Sequence, residues 1–261
     1  MVSLLTIGEN EVRAIYKKHY TVQVSDIDFR QQLKLSSLFV YLQDMATEHA
    51  IELGVGRNVI QSKHGVIWVL IRARVDVIRY PKLKENITIE TWPNQPNKIE
   101  FDRNFIVHDE ENNVIAKAVT TWVVIDFNTR KLKRSSLLEI NFPESGRGKA
   151  IDCELGKIKS TGNLEISYKK TVGYSDIDIN EHLNNAKYVD YIMDCFSLDN
   201  HKKYFVKSIE VDYIHEALPG ETIILQIDYT NVDENIVFIQ GINEETNKTV
   251  FKSQIEIVKS N

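Results

Sequence analysis

The sequence predicts an α+β fold of two tandem modules, each an antiparallel sheet wrapped around one long helix. The first observation is a repeat: the tetrapeptide Ser-Asp-Ile-Asp at residues 25–28 returns at residues 175–178, and further matches continue in the same register. The second observation is that each copy is followed by an apolar helical stripe and then by strand-like alternation. Two copies of one unit therefore predict two structurally similar halves.

A long helix is predicted directly after each repeat. In the first copy Ser36 or Ser37 is a suitable N-cap, and Gly54 is placed to end the helix. In the second copy Asn184 or Asn185 is the suitable N-cap. Apolar residues then recur at helical spacing, at Leu38, Leu42, Met45 and Leu53 in the first helix and at Val189, Ile192, Met193 and Phe196 in the second. Each helix therefore has one apolar face to bury against a sheet.

Strands are predicted on either side of these helices. Residues 166–173 read as a strand before the second repeat, and residues 72–77 alternate as a half-buried strand does. Residues 85–92 and 221–229 are corresponding strands of the two halves. Each half is thus predicted to contain a strand, a helix and about four antiparallel strands. The two halves are expected to pack sheet to sheet.

The boundary between the modules is predicted from a cluster of chain-breaking residues. Pro143, Gly146, Gly148, Gly156 and Gly162 lie close together after the last strand of the first half. We therefore predict an N-terminal module at residues 1–145, a linker at residues 146–162 and a C-terminal module at residues 163–261.

Composition restricts the class of protein. The chain has 261 residues, of which 43% are hydrophobic and 26% charged, as in globular proteins that bury a sizeable core. A net charge of −5 gives no support to nucleic-acid binding, and no apolar run approaches the ~20 residues of a membrane helix. Two cysteines fit a reducing compartment, and residues 1–20 lack a signal-peptide core. The expectation is a cytoplasmic protein without membrane insertion.

The two copies of the repeat differ where chemistry is possible. Asp178, Asn180 and His182 occupy alternate positions before the second helix, so their side chains are expected to point the same way. The first copy has Arg30 and Gln32 in place of Asn180 and His182. Asparagine and helix N–H groups can hold an oxyanion, and imidazole transfers protons near neutrality. The alternative is that these residues only turn and cap the chain.

Metal and cofactor sites are not predicted. The triplet Asp176, Asp178 and Asn180 begins like a calcium loop, but Glu181 replaces the required glycine and Lys187 replaces the final glutamate. No paired cysteines or histidines stand nearby at zinc-ligand spacing. The sequence also lacks a nucleophile elbow and a phosphate-binding glycine loop.

Over nearly its whole length the sequence resembles the acyl-acyl carrier protein (acyl-ACP) thioesterases. Residues 175–188 resemble the most specific motif of that family, and residues 213–217 fall at its second catalytic segment. Shorter segments that are similar to segments of the family occur in the same order, at residues 42–44, 67–69, 79–81, 91–92 and 122–123. The resemblance implies a double hotdog fold and hydrolysis of the thioester between a fatty acyl chain and acyl carrier protein.

The resemblance also implies which residues act. It assigns Asp178, Asn180, His182 and Glu216 to the catalytic network. The plastid enzymes often have a cysteine after the glutamate, but this chain has Ala217, which excludes a covalent cysteine mechanism at that position. Water attack is therefore the expected chemistry.

Two further expectations concern the substrate. In the family the first half holds the acyl chain, so Leu38, Leu42 and Met45 are candidates to line the slot, with a plain core role as the alternative. Carrier protein is acidic, so a basic surface should receive it. The densest basic run is the docking candidate, and a solvated loop is the alternative: Arg130, Lys131, Lys133 and Arg134.

Other functions stay open at this point. One is a hotdog thioesterase that acts on acyl-CoA, although no motif marks a nucleotide pocket. Another is a non-catalytic acyl-binding hotdog protein, and a weaker one is a hotdog dehydratase. A duplicated fold supplies the pairing that single hotdogs obtain by dimerising, so the expected state is a monomer or a homodimer.

Overall fold

The computed structural model describes residues 12–159 and 162–259. The first half contains β1 Tyr16–Thr21, α1 Leu35–Glu52, α2 Arg57–His64, β2 Val66–Val77, β3 Asn86–Pro93, β4 Glu100–His108 and β5 Val114–Asp126. The second half contains β6 Glu165–Thr171, α3 Asn185–Met193, α4 Leu198–Lys203, β7 Tyr204–Tyr213, β8 Thr222–Asp228, β9 Ile236–Asn243 and β10 Thr249–Lys259. Both halves thus show the predicted order of a strand, a helix and four strands, and each adds a second, short helix that was not predicted, α2 or α4.

The ten strands form one antiparallel sheet, in the order β1-β3-β4-β5-β2-β7-β10-β9-β8-β6. The halves meet where β2 pairs with β7, with Ala73 opposite Val211. The expectation that the halves pack sheet to sheet was therefore wrong, because they join edge to edge. This pairing satisfies the backbone groups that β2 and β7 would otherwise leave exposed at the edge of each sheet.

Helices α1 and α3 lie against one face of this sheet and contribute to a common core. Met45 on α1 and Val189 on α3 are both fully buried in the same hydrophobic cluster, which includes residues from both halves. Leu38 and Leu42 lie in it as well, as the helical spacing predicts. No helix in the described ranges is both long and apolar enough to cross a membrane.

The helix ends differ between the halves. Asn184 caps α3 as predicted, and its side chain accepts a hydrogen bond from the backbone of Ala186 at 2.8 Å. The N-cap of α1 is Lys34, so the prediction of Ser36 or Ser37 was wrong. Helix α1 has 18 residues and α3 has nine, because α3 ends at Met193. Phe196, which was predicted on the apolar face of this helix, therefore lies beyond its end.

The linker is packed against strands of both halves. The backbone N–H of Ala150 donates to Asn104 on β4 at 2.9 Å, and that of Ile158 donates to Asp212 on β7 at 2.9 Å. Ala150 and Ile158 are themselves buried. The connection thus covers the face of the sheet opposite the helices and satisfies buried polar groups there.

A buried histidine on α1 stabilises the first half, and it does so as the neutral imidazole. His49 is fully buried, its Nδ1 accepts from the Arg103 guanidinium at 3.0 Å, and its Nε2 lies 2.9 Å from the carbonyl oxygen of Arg13. Burial and the positive charge of Arg103 lower the pKa of His49 to about 4.

This histidine predicts a loss of stability in acid. The unfolded chain binds a proton on His49 near pH 6.5, whereas the folded chain does not until about pH 4. Stability therefore falls as the pH drops below 6.5, by at most about 2 kcal/mol between pH 7.5 and pH 5. Urea unfolding of wild type and of His49→Gln at both pH values measures this contribution. An equal acid loss in both proteins would contradict it.

Candidate functional site

The loop before α3 is held in a tight, defined shape. The backbone N–H of Asp178 donates to the carbonyl of His182 at 2.9 Å, and Glu181 adopts the left-handed conformation, with φ of 63°, that this turn requires. The N–H of Leu183 then donates to the carbonyl of Ala217 at 2.9 Å. This last bond attaches the loop to the segment after β7, which carries Glu216.

The imidazole of His182 and the carboxylate of Glu216 are therefore neighbours. His182 Nδ1 lies 3.4 Å from Glu216 Oε1, and the two side chains remain 25% and 39% exposed. Both side chains line one cavity between the two halves. A histidine and a carboxylate at this separation, in contact with solvent, can together take a proton from a water molecule.

Asp178 holds Asn180 in place. One carboxylate oxygen of Asp178 accepts from the backbone N–H of Asn180 at 2.7 Å, and the other accepts from the Asn180 side-chain amide at 3.2 Å. The second amide hydrogen of Asn180 has no acceptor among the described residues. All four residues that the resemblance assigned thus line the same cavity: Asp178, Asn180, His182 and Glu216.

The N-terminus of α3 adds a hydrogen-bond donor to the same cavity. Asn185, the first residue of this helix, lines the cavity, and its backbone N–H has no acceptor within the described ranges. Its carbonyl accepts from the hydroxyl of Tyr213 at 3.2 Å. A free N–H at a helix N-terminus stabilises negative charge, so an oxyanion fits this end of the cavity.

The cavity has a volume of about 810 Å³ and takes most of its apolar lining from the first half. Ala46, Thr47 and Ala50 of α1 form one wall, Ile67 and Val69 belong to β2, and further apolar lining comes from Phe101, Trp122 and Phe142. A volume of this size with apolar walls and few polar groups is typical of a site for an apolar ligand.

The residues predicted to line an acyl slot lie elsewhere. Leu38, Leu42 and Met45 are packed in the core, and none of them lines this cavity. The physical reason is that large apolar side chains on α1 fill space, whereas the small side chains of Ala46 and Ala50 leave it open. The apolar residues of α1 that line the cavity are therefore Ala46 and Ala50, and the three predicted residues are part of the core.

The predicted basic docking run is divided between two places. Arg130 lines the cavity, and its guanidinium forms an ion pair with Oε1 of Glu216, the same oxygen that faces His182. Lys133 pairs with Asp126 at 3.0 Å, while Lys131 and Arg134 are exposed. The sequence carried no signal for the Arg130 contact, because its partner lies in the other half of the chain.

Two further side chains of chemical interest are His215, which lies in the cavity, and Cys195, which lies in the core. His215 lies beyond the end of β7 at Tyr213 and lines the cavity, with its Nδ1 2.7 Å from the carbonyl oxygen of Thr249. Cys195 is buried in the core, and burial raises the pKa of its thiol to about 12. A protonated, buried thiol is not a nucleophile.

Comparison with family models covers both halves. Residues 13–136 match the acyl-ACP thioesterase N-terminal domain, and residues 159–259 match the acyl-ACP thioesterase C-terminal domain. Together these ranges include most of the chain.

Curated relatives are similar along most of this chain. The palmitoyl-acyl carrier protein thioesterase of Gossypium hirsutum is 25% identical over 233 residues, which is 85% of this chain and 56% of that protein. The dodecanoyl-[acyl-carrier-protein] hydrolase of Cinnamomum camphora is 23% identical over 222 residues, 78% of this chain and 56% of that protein. The chain thus spans about half the length of the curated relatives it matches.

Solved structures share the whole fold. An acyl-ACP thioesterase from Bacteroides thetaiotaomicron superposes with a TM-score of 0.84 at 25% identity, covering 94% of this chain and 98% of that one. The 12:0-ACP thioesterase of Umbellularia californica gives a TM-score of 0.82 at 17% identity, covering 95% and 98%, which supports the fold alone. The chain has the double hotdog fold, and it belongs to the acyl-ACP thioesterase family.

Proposed function

We propose that this protein hydrolyses the thioester bond of fatty acyl-ACP and releases the free fatty acid. The observation that carries the proposal is the pairing of His182 with Glu216, at 3.4 Å, in a cavity with apolar walls from the other half. The family match supports the same substrate class. An acyl chain fits the apolar lining, and the thioester carbonyl fits the polar end.

The reaction proceeds by direct attack of water. Glu216, together with His182, accepts a proton from the water, and the resulting hydroxide forms a bond to the carbonyl carbon. The Asn180 amide and the first N–H of α3 stabilise the oxyanion. The carbon–sulfur bond then breaks, and the thiolate of the pantetheine arm takes the proton from the protonated base. Asp178 keeps Asn180 in position for this step.

Arg130 acts as a positioning residue for Glu216. Its guanidinium and the His182 imidazole share one oxygen of the carboxylate, which leaves the other oxygen to accept a proton from water. Guanidinium groups hold carboxylates in fixed geometry, so Arg130 restricts the rotation of Glu216. This contact comes from the first half, which therefore contributes to the chemistry as well as to the acyl slot.

Acyl carrier protein docks, in this proposal, on the exposed cations beside Arg130. Changing both Lys131 and Arg134 to glutamate is expected to raise KM for acyl-ACP roughly 5- to 20-fold and to leave a small acyl thioester unaffected, because only the carrier carries the acidic surface. Arg130→Met is expected to lower kcat for both substrates about 10-fold, because it disorders Glu216. Steady-state kinetics with the two substrates separates these effects. Equal changes in KM for both substrates would remove Lys131 and Arg134 from the docking surface.

The substrate class is tested by direct comparison of carriers. The wild-type protein is incubated with a panel of acyl-ACPs and with the matching acyl-CoAs, and products are identified by mass spectrometry. Free fatty acid released faster from acyl-ACP is the expected result. Faster release from acyl-CoA would assign a CoA thioesterase, an enoyl product would assign a dehydratase, and binding without turnover would assign an acyl-binding protein.

Cytoplasmic location and a monomeric or homodimeric state are further proposals, drawn from the sequence.

A further inference from the structure

The first half has its own version of the loop and cavity. The N–H of Asp28 donates to the carbonyl of Gln32 at 2.8 Å, the N–H of Leu33 donates to that of Pro81 at 2.8 Å, and Gln31 has a φ of 60°. These bonds repeat, position by position, those of the loop that carries His182. This loop opens on a second cavity, of about 600 Å³, beside the end of α3.

The second cavity has lost the groups that the proposed hydrolysis needs. Gln32 stands where His182 stands in the other loop, and Tyr80 stands in the place of Glu216. The hydroxyl of Tyr80 donates to the carbonyl of Val206 at 2.8 Å, and Arg30 pairs with Asp28 at 2.8 Å. These side chains support the loop. The cavity does contain an imidazole, His201, but its Nε2 lies 3.0 Å from the carbonyl of Met193, and it forms no ion pair with a carboxylate among the described residues.

The cavity has nevertheless stayed open and apolar. Met193 and Phe196, at and beyond the end of α3, line it because that helix is short. Its rim includes large apolar side chains that remain in contact with water, among them Phe29 at 53% and Leu198 at 65% exposure. Apolar surface of this kind gains free energy when a ligand covers it. Both the volume and the lining therefore fit an apolar chain.

One wall of this cavity has unsatisfied groups that favour an anion. Ser36 lines the cavity and is buried, with 7% of its surface exposed, and its hydroxyl has no hydrogen-bond partner in the described part of the chain. Lys34, at the N-cap of α1, lines the cavity too; it is exposed and has no ion pair among residues 12–159 and 162–259. Among the residues that the structure describes, no side chain caps the first N–H groups of α1, whereas Asn184 caps α3. A carboxylate in the cavity would accept hydrogen bonds from the Ser36 hydroxyl and from the first N–H groups of α1, and its charge would balance that of Lys34.

The carboxylates that also line this cavity do not cancel that preference. Asp28 is paired with Arg30, and Asp190 is paired with Lys187 at 3.2 Å. Asp194, the C-cap residue of α3, is exposed, so water and salt screen its charge. The positive end at Lys34 and α1 is therefore the place where an anionic head group fits.

We propose that the second cavity binds a free fatty acid without hydrolysing any bond. The carboxylate contacts Lys34, the Ser36 hydroxyl and the first turn of α1, and the alkyl chain lies along Met193 and Phe196. The identification of this ligand as the product of the enzyme rests on the proposed function. The evidence for the binding site itself is the lining of the cavity and does not depend on the proposed function.

The test is the binding of dodecanoate to the full chain, by calorimetry, in wild type and in variants of the second cavity. Wild type is expected to bind two equivalents, one in each cavity. Lys34→Glu and Ser36→Ala are each expected to weaken one equivalent, Lys34→Glu by about 10-fold. Lys203→Glu, at an exposed lysine of α4 outside the cavity lining, is the matched control. Dodecanol, which has no charge, should lose no affinity in Lys34→Glu.

Hydrolysis of acyl-ACP is measured on the same proteins, so that the two proposals fail separately. Lys34→Glu is expected to hydrolyse acyl-ACP at the wild-type rate. Two bound equivalents in a protein that hydrolyses nothing would overturn the proposed function and support the second site. Normal hydrolysis with one bound equivalent, unchanged by Lys34→Glu and Ser36→Ala, would overturn the second site.

Discussion

Replacing His182 with glutamine is expected to lower kcat for acyl-ACP hydrolysis by roughly 10²- to 10³-fold. The change gives the second loop the residue that the first loop has at Gln32, so it retains a side chain of similar size and removes the titrating imidazole. Glu216→Gln is expected to have an effect of the same order, because its partner at 3.4 Å then lacks a carboxylate to share the proton. Single-turnover release of fatty acid, measured by mass spectrometry, gives both rates.

The control for this prediction lies in the same cavity. His215 lines it too, but its Nδ1 is engaged by the carbonyl of Thr249 at 2.7 Å. His215→Gln is therefore expected to lower kcat less than 10-fold. Thermal unfolding of each variant checks that the fold is retained. If His215→Gln proved slow and His182→Gln fast, the result would assign proton transfer to His215 instead of His182.

Filling the apolar wall is expected to change which chains are accepted. Ala50→Phe places an aromatic ring where α1 leaves space, and longer acyl chains then compete with that ring. We expect kcat/KM for the longest accepted acyl-ACP to fall roughly 10- to 100-fold, while shorter chains lose much less. A chain-length series of acyl-ACPs measures the shift.

The neighbouring residue provides the matched control for this change. Ile51 follows Ala50 on α1, is 65% exposed and does not line the cavity. Ile51→Phe adds a ring to the same helix without entering the slot, and the chain-length profile is expected to stay as in wild type. A uniform loss for all chain lengths in Ala50→Phe would show a general defect and would argue against this wall as the acyl slot.

The repeat and the local patterns predicted much of this structure. The two loops adopt the same hydrogen bonds because the same tetrapeptide and the same turn stand in each, and Asn184 caps α3 as its residue type favours. The order of strands and helices followed from the hydrophobic period. The grouping of His182 with Glu216 came from the family resemblance, since no local pattern relates a loop to a segment more than 30 residues away.

Other features depend on tertiary structure and had no local signal. Which strand edges meet is not specified by alternation, so the β2–β7 junction could not be predicted from the pattern of each strand. That junction brings Arg130 from the first half to Glu216 in the second, so the contact could not be predicted from the basic run around Arg130. Helical spacing likewise identified the large residues of α1 but could not show that Ala46 and Ala50 border a void.

The central claim is that only the loop–helix junction of the second half activates water for thioester hydrolysis. The most direct test is the rate of fatty acid release from acyl-ACP by the double variant His182→Gln, Glu216→Gln. Because the two groups act on one water molecule, the double variant is predicted to be about as slow as the slower single variant and far below wild type. Release at the wild-type rate would contradict the claim and place the chemistry elsewhere in the chain.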